Sequence, residues 1–113
     1  MGRIENIIIN YVQIIDVLLE YRTKNNDVIY FENVDRHSRV KLNFKPKSFK
    51  KVLTRIVGKD REREHLEIFK NLGFILIDMD RERYTQAQKI KGRTVRTISI
   101  FEHTYQALKE LIE

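Results

Sequence analysis

The residues that could do chemistry in this chain are mostly cations, and they are segregated by position. Residues 36–59 contain nine Lys or Arg and no acid, and residues 81–97 contain six against one Glu. The formal net charge of the 113-residue chain is +6. Solvated protein surfaces usually intersperse the two signs, because like charges repel one another. The two basic segments therefore predict an anionic partner, and nucleic acid is the commonest one for a small basic domain.

Patterns for catalysis or metal binding are weaker. The chain has no Cys, which excludes disulfide scaffolds, thiolate zinc sites, iron–sulfur sites and cysteine nucleophiles. Asp78, Asp80 and Glu82 alternate as in the acidic edge of a metal-dependent nuclease, but no clear Glu-x-Lys partner follows. We interpret them as a charged strand exit that balances Arg81 and Arg83. We therefore expect no catalytic residue, no metal and no cofactor.

Two other classes of function stay open beside nucleic-acid binding. A small basic ribonuclease of the toxin-like kind could use Tyr84, Arg93, His103 or Tyr105 to transfer protons and hold phosphate. A protein-interaction adaptor could dock its basic face on an acidic partner. Duplex binding under salt titration, RNA decay with and without metal, and pull-down after nuclease treatment would separate the three.

An N-terminal amphipathic helix is the first predicted element. Apolar residues recur every three or four positions from residue 4 to residue 19, which predicts about five turns of helix. Its apolar face is wide, so it is either a central core helix or a surface for self-association. Polar residues interrupt this stretch too often for a signal peptide or a membrane span. We expect a cytoplasmic protein without a membrane partner, and a homodimer formed through this helix.

The rest of the chain is predicted to form a hairpin, two short helices, a second hairpin and a C-terminal helix. Strand patterns at residues 28–31 and 40–45 predict a hairpin, and Pro46 opens a helix that ends at Gly58. A further helix at residues 61–72 has Asp60 as its expected N-cap and ends at Gly73. Strands follow at 74–77 and 94–100, with the basic hairpin 81–93 between them, and a last amphipathic helix starts near residue 101.

This order of elements resembles the winged helix-turn-helix family. The family's third helix ends in a run of spaced Leu residues followed by Gly, an aromatic or aliphatic residue and Ile. The matching residues are Leu66, Phe69, Leu72, Gly73, Phe74 and Ile75. The resemblance covers residues 46–100 and implies an α+β winged helix-turn-helix fold. Because 113 residues suit one domain and the chain shows no repeat or linker, we expect a single domain over residues 1–113, with extra N-terminal and C-terminal helices. The chain also loosely resembles small accessory proteins of clostridial conjugative plasmids that bind the transfer origin.

The resemblance implies binding of double-stranded DNA, with the third helix in the major groove and the hairpin wing on the backbone or in the minor groove. The candidate DNA-binding residues carried over are Lys45, Lys47, Lys50, Lys51, Arg55, Lys59, Arg61, Arg63, Arg81, Arg83, Gln86, Gln88, Lys89, Lys91, Arg93 and Arg96. The third helix is not net basic, since three cations face three acids. We therefore expect the second helix and the wing to hold phosphates, while Arg61 and Arg63 read base edges. The expected role is that of a plasmid or phage transcription regulator, or of an origin-binding accessory factor in DNA transfer.

Overall fold

The computed structural model describes residues 3–24, 29–77, 84–90 and 92–113. Within these ranges the elements are α1 (Arg3–Lys24), β1 (Ile29–Val34), β2 (Val40–Phe44), α2 (Pro46–Val57), a 3-10 turn (Lys59–Arg61), α3 (Glu62–Asn71), β3 (Gln86–Ile90), β4 (Arg93–Phe101) and α4 (Glu102–Ile112). The predicted α2 is confirmed at both ends, where Pro46 opens the helix and Gly58 follows it. Val28, Arg81, Arg83 and Lys91 lie outside the described residues.

The strands form one antiparallel sheet in the order β1-β2-β4-β3. Both hairpins, β1–β2 and β3–β4, pair internally, and β2 joins them by pairing with β4, where Leu42 lies opposite Ile100. The α+β prediction is thus confirmed. Helices α2 and α3 followed by the β3–β4 hairpin are also consistent with a winged arrangement. Membership of the winged helix-turn-helix family stays a prediction.

One face of the sheet and the helices share the apolar core. Leu42, Phe44, Ile98 and Ile100 alternate along β2 and β4 and are almost completely buried. In α1, the buried residues are Ile7, Ile8, Tyr11, Val12, Ile14, Ile15 and Leu18. This helix packs against both α2 and α4, so the apolar face that suggested self-association is mostly covered within one chain. No helix in the described ranges has the length and apolar character needed to cross a bilayer.

The start of α3 differs from the prediction that Asp60 caps it. Residues 59–61 form a 3-10 turn, and the α-helix begins at Glu62 without a capping side chain. The Arg61 N–H bonds to the Gly58 carbonyl at 3.2 Å, and the Glu62 N–H bonds to the Lys59 carbonyl. Backbone carbonyls of the tight turn therefore satisfy amides that the Asp60 side chain was expected to reach.

The predicted strand at residues 74–77 was wrong: only a single bridge joins Leu76 to Ser99. Gly73 adopts a φ of 74°, and its N–H bonds to the Lys70 carbonyl at 3.2 Å. The Phe74 N–H reaches back to the Phe69 carbonyl at 2.8 Å. These two bonds are the pattern of a Schellman motif, which closes α3 with a residue in the left-handed region. The amides at 73 and 74 are consumed by the helix end, so strand pairing starts only at Leu76.

Candidate nucleic-acid interface

Helix α2 carries an exposed row of cations. Lys47, Lys51 and Arg55 are spaced four residues apart, which places them about 6 Å apart along the helix axis. Lys50 lies beside the row and is half-buried, while Phe49 and Leu53 bury the opposite face. The helix contains no acidic residue. The predicted phosphate-holding residues of α2 are therefore brought together on one surface.

The cations of the α2 row differ in how they are held. The Arg55 guanidinium donates to the Tyr21 hydroxyl at 2.7 Å, which fixes it against α1. The side chains of Lys47, Lys50 and Lys51 form no hydrogen bond or ion pair within the described part of the chain. Lys45, at the end of β2, does have a partner. The three lysines of α2 are therefore available to an external anion.

The turn between α2 and α3 extends the basic surface. Thr54 donates a hydrogen bond to the Glu62 carboxylate at 3.0 Å, which holds the start of α3 close to the end of α2. Lys59 and Arg61 are exposed on the intervening turn. This arrangement continues the α2 row into the N-terminal end of α3.

His65 anchors this turn from inside the protein. Its side chain is buried, with Nδ1 at 2.9 Å from the Arg61 carbonyl oxygen and Nε2 at 3.1 Å from the Asn10 amide nitrogen. A carbonyl only accepts, so Nδ1 donates and Nε2 accepts from Asn10. The imidazole thus ties the start of α3 to α1, as expected for a histidine with a structural role.

The exposed acids of α3 are bound to partners from distant parts of the chain. Glu64 accepts a hydrogen bond from Arg3 and lies 3.7 Å from the Arg61 Nε. The hydrogen bond from Arg3, with the nearby charges, lowers the pKa of Glu64. Glu67 accepts from the Tyr84 hydroxyl at 2.9 Å and lies 3.2 Å from the Lys70 Nζ. The α3 surface is therefore a set of compensated charges rather than a basic face.

Tyr84 connects α3 to the start of the β3–β4 hairpin. Its hydroxyl donates to Glu67, and the Lys70 Nζ lies 5.9 Å from the centre of its ring. Desolvation and the bond to Glu67 raise the pKa of Tyr84. The sequence indicated Tyr84 only as a possible ribonuclease residue. Tyr84 lies two residues before β3, and this position was the only sequence signal for its anchoring role.

Several polar side chains of the β3–β4 hairpin form hydrogen bonds inside the protein. Gln88 is buried, and its amide donates to the Gln86 side-chain oxygen at 2.9 Å, which also accepts from Lys41 at 3.2 Å. Arg96 donates to the Thr85 hydroxyl at 3.0 Å and to its carbonyl at 2.8 Å. Gln86, Gln88 and Arg96 thus have structural partners, and their predicted contact with DNA stays a prediction. Lys89 and Arg93 remain exposed.

The hairpin stands on a buried polar network that the sequence did not predict. The Ser99 hydroxyl donates to the Asn43 Oδ1 at 2.7 Å, and the Asn43 amide donates to the Phe31 carbonyl and to the Asn33 Oδ1, each at 3.0 Å. The Thr97 hydroxyl lies 2.7 Å from that of Ser99. Asn43 lies on the opposite face of β2 from Leu42 and Phe44, and it is buried as well. The network joins β1, β2 and β4 side by side.

No protein-family model matches this chain, and no curated protein is similar to it. The function has to be inferred from the surface itself.

The residues of the ribonuclease alternative lie in separate networks. Tyr84 bonds to Glu67 on α3, whereas the Tyr105 hydroxyl donates to Asp16 on α1, where Lys109 also binds at 3.2 Å. Burial, followed by the Asp16 carboxylate, raises the pKa of Tyr105. Asp78, Asp80 and Glu82 lie outside the described residues. Among the described residues, no three acids or histidines gather into a metal-binding group.

Proposed function

We propose that this protein binds double-stranded DNA through the lysines of α2, the turn before α3 and the exposed cations of the β3–β4 hairpin. The proposal is carried by the three lysines of α2, which have no partner among the described residues. The same helix contains no acidic residue. Uncompensated cations that repel one another are stabilised by an anionic partner. A phosphate backbone offers such a partner at regular spacing along a surface of this length.

The kind of side chain at the surface favours a duplex over a single strand. Proteins that bind single strands stack bases on exposed aromatic rings. In the described part of the chain, the exposed large hydrophobic residues are Ile4, Val34, Leu72 and Leu111, none of which is aromatic. Phe49, the aromatic residue of α2, is fully buried. The surface is therefore equipped for phosphates rather than for stacking.

The magnitude of salt dependence follows from the number of free cations. Six cations of the proposed surface are exposed or half-exposed and have no partner among the described residues: Lys47, Lys50, Lys51, Lys59, Lys89 and Arg93. Each neutralised phosphate contributes about −0.9 to the slope of log K against log salt, so six contacts give a slope of about −5. Raising the salt from about 50 to 200 mM then weakens binding roughly 10³-fold.

A salt titration of a labelled duplex of about 20 base pairs tests this proposal. Lys47→Ala combined with Lys51→Ala should reduce the slope by about two units, because two phosphate contacts are lost. The matched control is Arg36→Ala, which removes an exposed cation in the β1–β2 turn, at the end of β2 opposite to α2. It should leave the slope nearly unchanged. A wild-type slope near zero, or an equal effect of the control, would refute the proposal.

A further inference from the structure

In the described part of the chain, most arginines of the proposed surface and the buried Gln88 already bind partners inside the protein. Base edges are read chiefly by Arg, Asn and Gln side chains, whose paired donors and acceptors match the major-groove pattern. The engaged groups and their partners are Arg3 with Glu64, Arg55 with Tyr21, Arg61 with Glu64, Arg96 with Thr85, and Gln88 with Gln86. Direct readout by these groups would require the loss of an internal contact.

The free cations are of a different chemical type. Five of the six side chains counted above are lysines, and Arg93 is the exception. A lysine ammonium is a compact point charge on a flexible stem, without the fixed fork by which arginine recognises a guanine edge. Such a group binds any phosphate equally well, since the phosphate backbone carries no direct sequence information. The available charge is therefore suited to affinity rather than to discrimination.

The charges on helix α3 also argue against base readout, because this helix carries acidic side chains. Its outer surface displays Glu64 and Glu67 as ionised carboxylates, because both have lowered pKa values. A duplex that approached this face would meet two negative charges as well as the cations bound to them. Helix α2 has no such acid, so a duplex is stabilised more by α2 than by α3.

From these contacts we infer that the protein binds duplex DNA with little dependence on base sequence. This inference rests on the proposed function and specifies its substrate as the phosphate backbone of any B-form duplex. It favours an accessory protein that coats or shapes DNA over a regulator that finds one operator. Sequence-specific proteins prefer their sites over random DNA by about 10³ to 10⁷, and this protein is expected to fall far below that range.

Selection of bound duplexes from a random 20-base-pair library, with the full chain at about 50 mM salt, tests the inference. The tightest selected duplex should bind less than about 30-fold better than the unselected pool. A 30-fold preference equals about 2 kcal/mol, which is the worth of one good bidentate base contact. A preference of 30-fold or more would overturn the inference and leave DNA binding intact. Failure of every duplex to bind at this salt would overturn both the proposed function and the inference.

Two variants give a second readout that does not depend on finding the best site. Arg63→Ala should weaken binding to the selected duplex and to the pool by the same small factor, because the nearby Glu67 carboxylate offsets the charge of its guanidinium. Lys50→Ala, the matched phosphate-contact control, should weaken binding to both by a larger and equal factor. A loss confined to the selected duplex in Arg63→Ala would show that Arg63 reads bases and would contradict the inference.

Discussion

Replacement of Asn43 by alanine tests whether the buried polar network holds the sheet together. Asn43 is fully buried, and its side chain makes three hydrogen bonds, two as donor to β1 and one as acceptor from Ser99. Each such bond contributes about 1 kcal/mol net, so Asn43→Ala should lower the free energy of unfolding by about 3 kcal/mol. For a domain of this size that corresponds to a fall in Tm of roughly 12 °C.

Thermal and urea unfolding followed by circular dichroism would measure this effect. Ser99→Ala removes one of the three bonds and should cost about 1 kcal/mol, which gives a graded series. Asn71→Ala is the control, because Asn71 is exposed at the end of α3 and should change stability by less than about 0.5 kcal/mol. If Asn43→Ala shifts Tm no further than Asn71→Ala, the network does not stabilise the sheet and its role here is wrong.

Two further outcomes concern the contacts of α3 and α1. Hydrogen bonds from Tyr84 and Lys70 lower the pKa of Glu67 below its ordinary value of 4.5, so the ionised carboxylate stabilises the fold above that pH. Glu67→Gln should therefore be less stable than wild type in urea at pH 7, and the difference should shrink as the pH falls below 4.5; a constant difference would contradict this. Tyr11 is buried and donates to the Phe74 carbonyl at 2.7 Å, so Tyr11→Phe should lower stability by about 1 kcal/mol in thermal unfolding, and an unchanged Tm would contradict it.

Local signals in the sequence predicted the elements that depend on local chemistry. Helix α2 has the predicted bounds because Pro46 and Gly58 act within their own turns. The strand predicted at residues 94–100 is confirmed within β4, where Ile98 and Ile100 are buried in the core. The strand expected after Gly73 failed because one glycine signals both a helix end and the start of the next element. The backbone N–H groups of Gly73 and Phe74 bond to carbonyls at the end of α3. The sequence alone does not show whether these N–H groups will close the helix or pair in a strand.

The candidate site was predictable in composition but not in its contacts. Counting charges showed that α3 is nearly neutral while α2 is basic, and the structure agrees. The charge count could not show that Glu64 binds Arg3, because the two residues are 61 positions apart in the sequence. Nor could alternation show that the face carrying Asn43 is buried, because it assigns sides of a sheet without saying what covers them. For the same reason the sequence could not show that Gln88 is buried.

The two helices that pack against α1 differ in charge. Helix α2 bears lysines without acids, whereas α4 bears Glu102 and Glu110, and α1 packs against both helices. Charges separated in this way form a dipole, which an anionic polymer can turn before any contact is made. At 0.1 M salt such a field extends about 10 Å, less than the shortest molecular dimension of 29 Å. If the protein binds DNA as proposed, α2 would face the duplex first, and this orientation would weaken as the salt concentration rises.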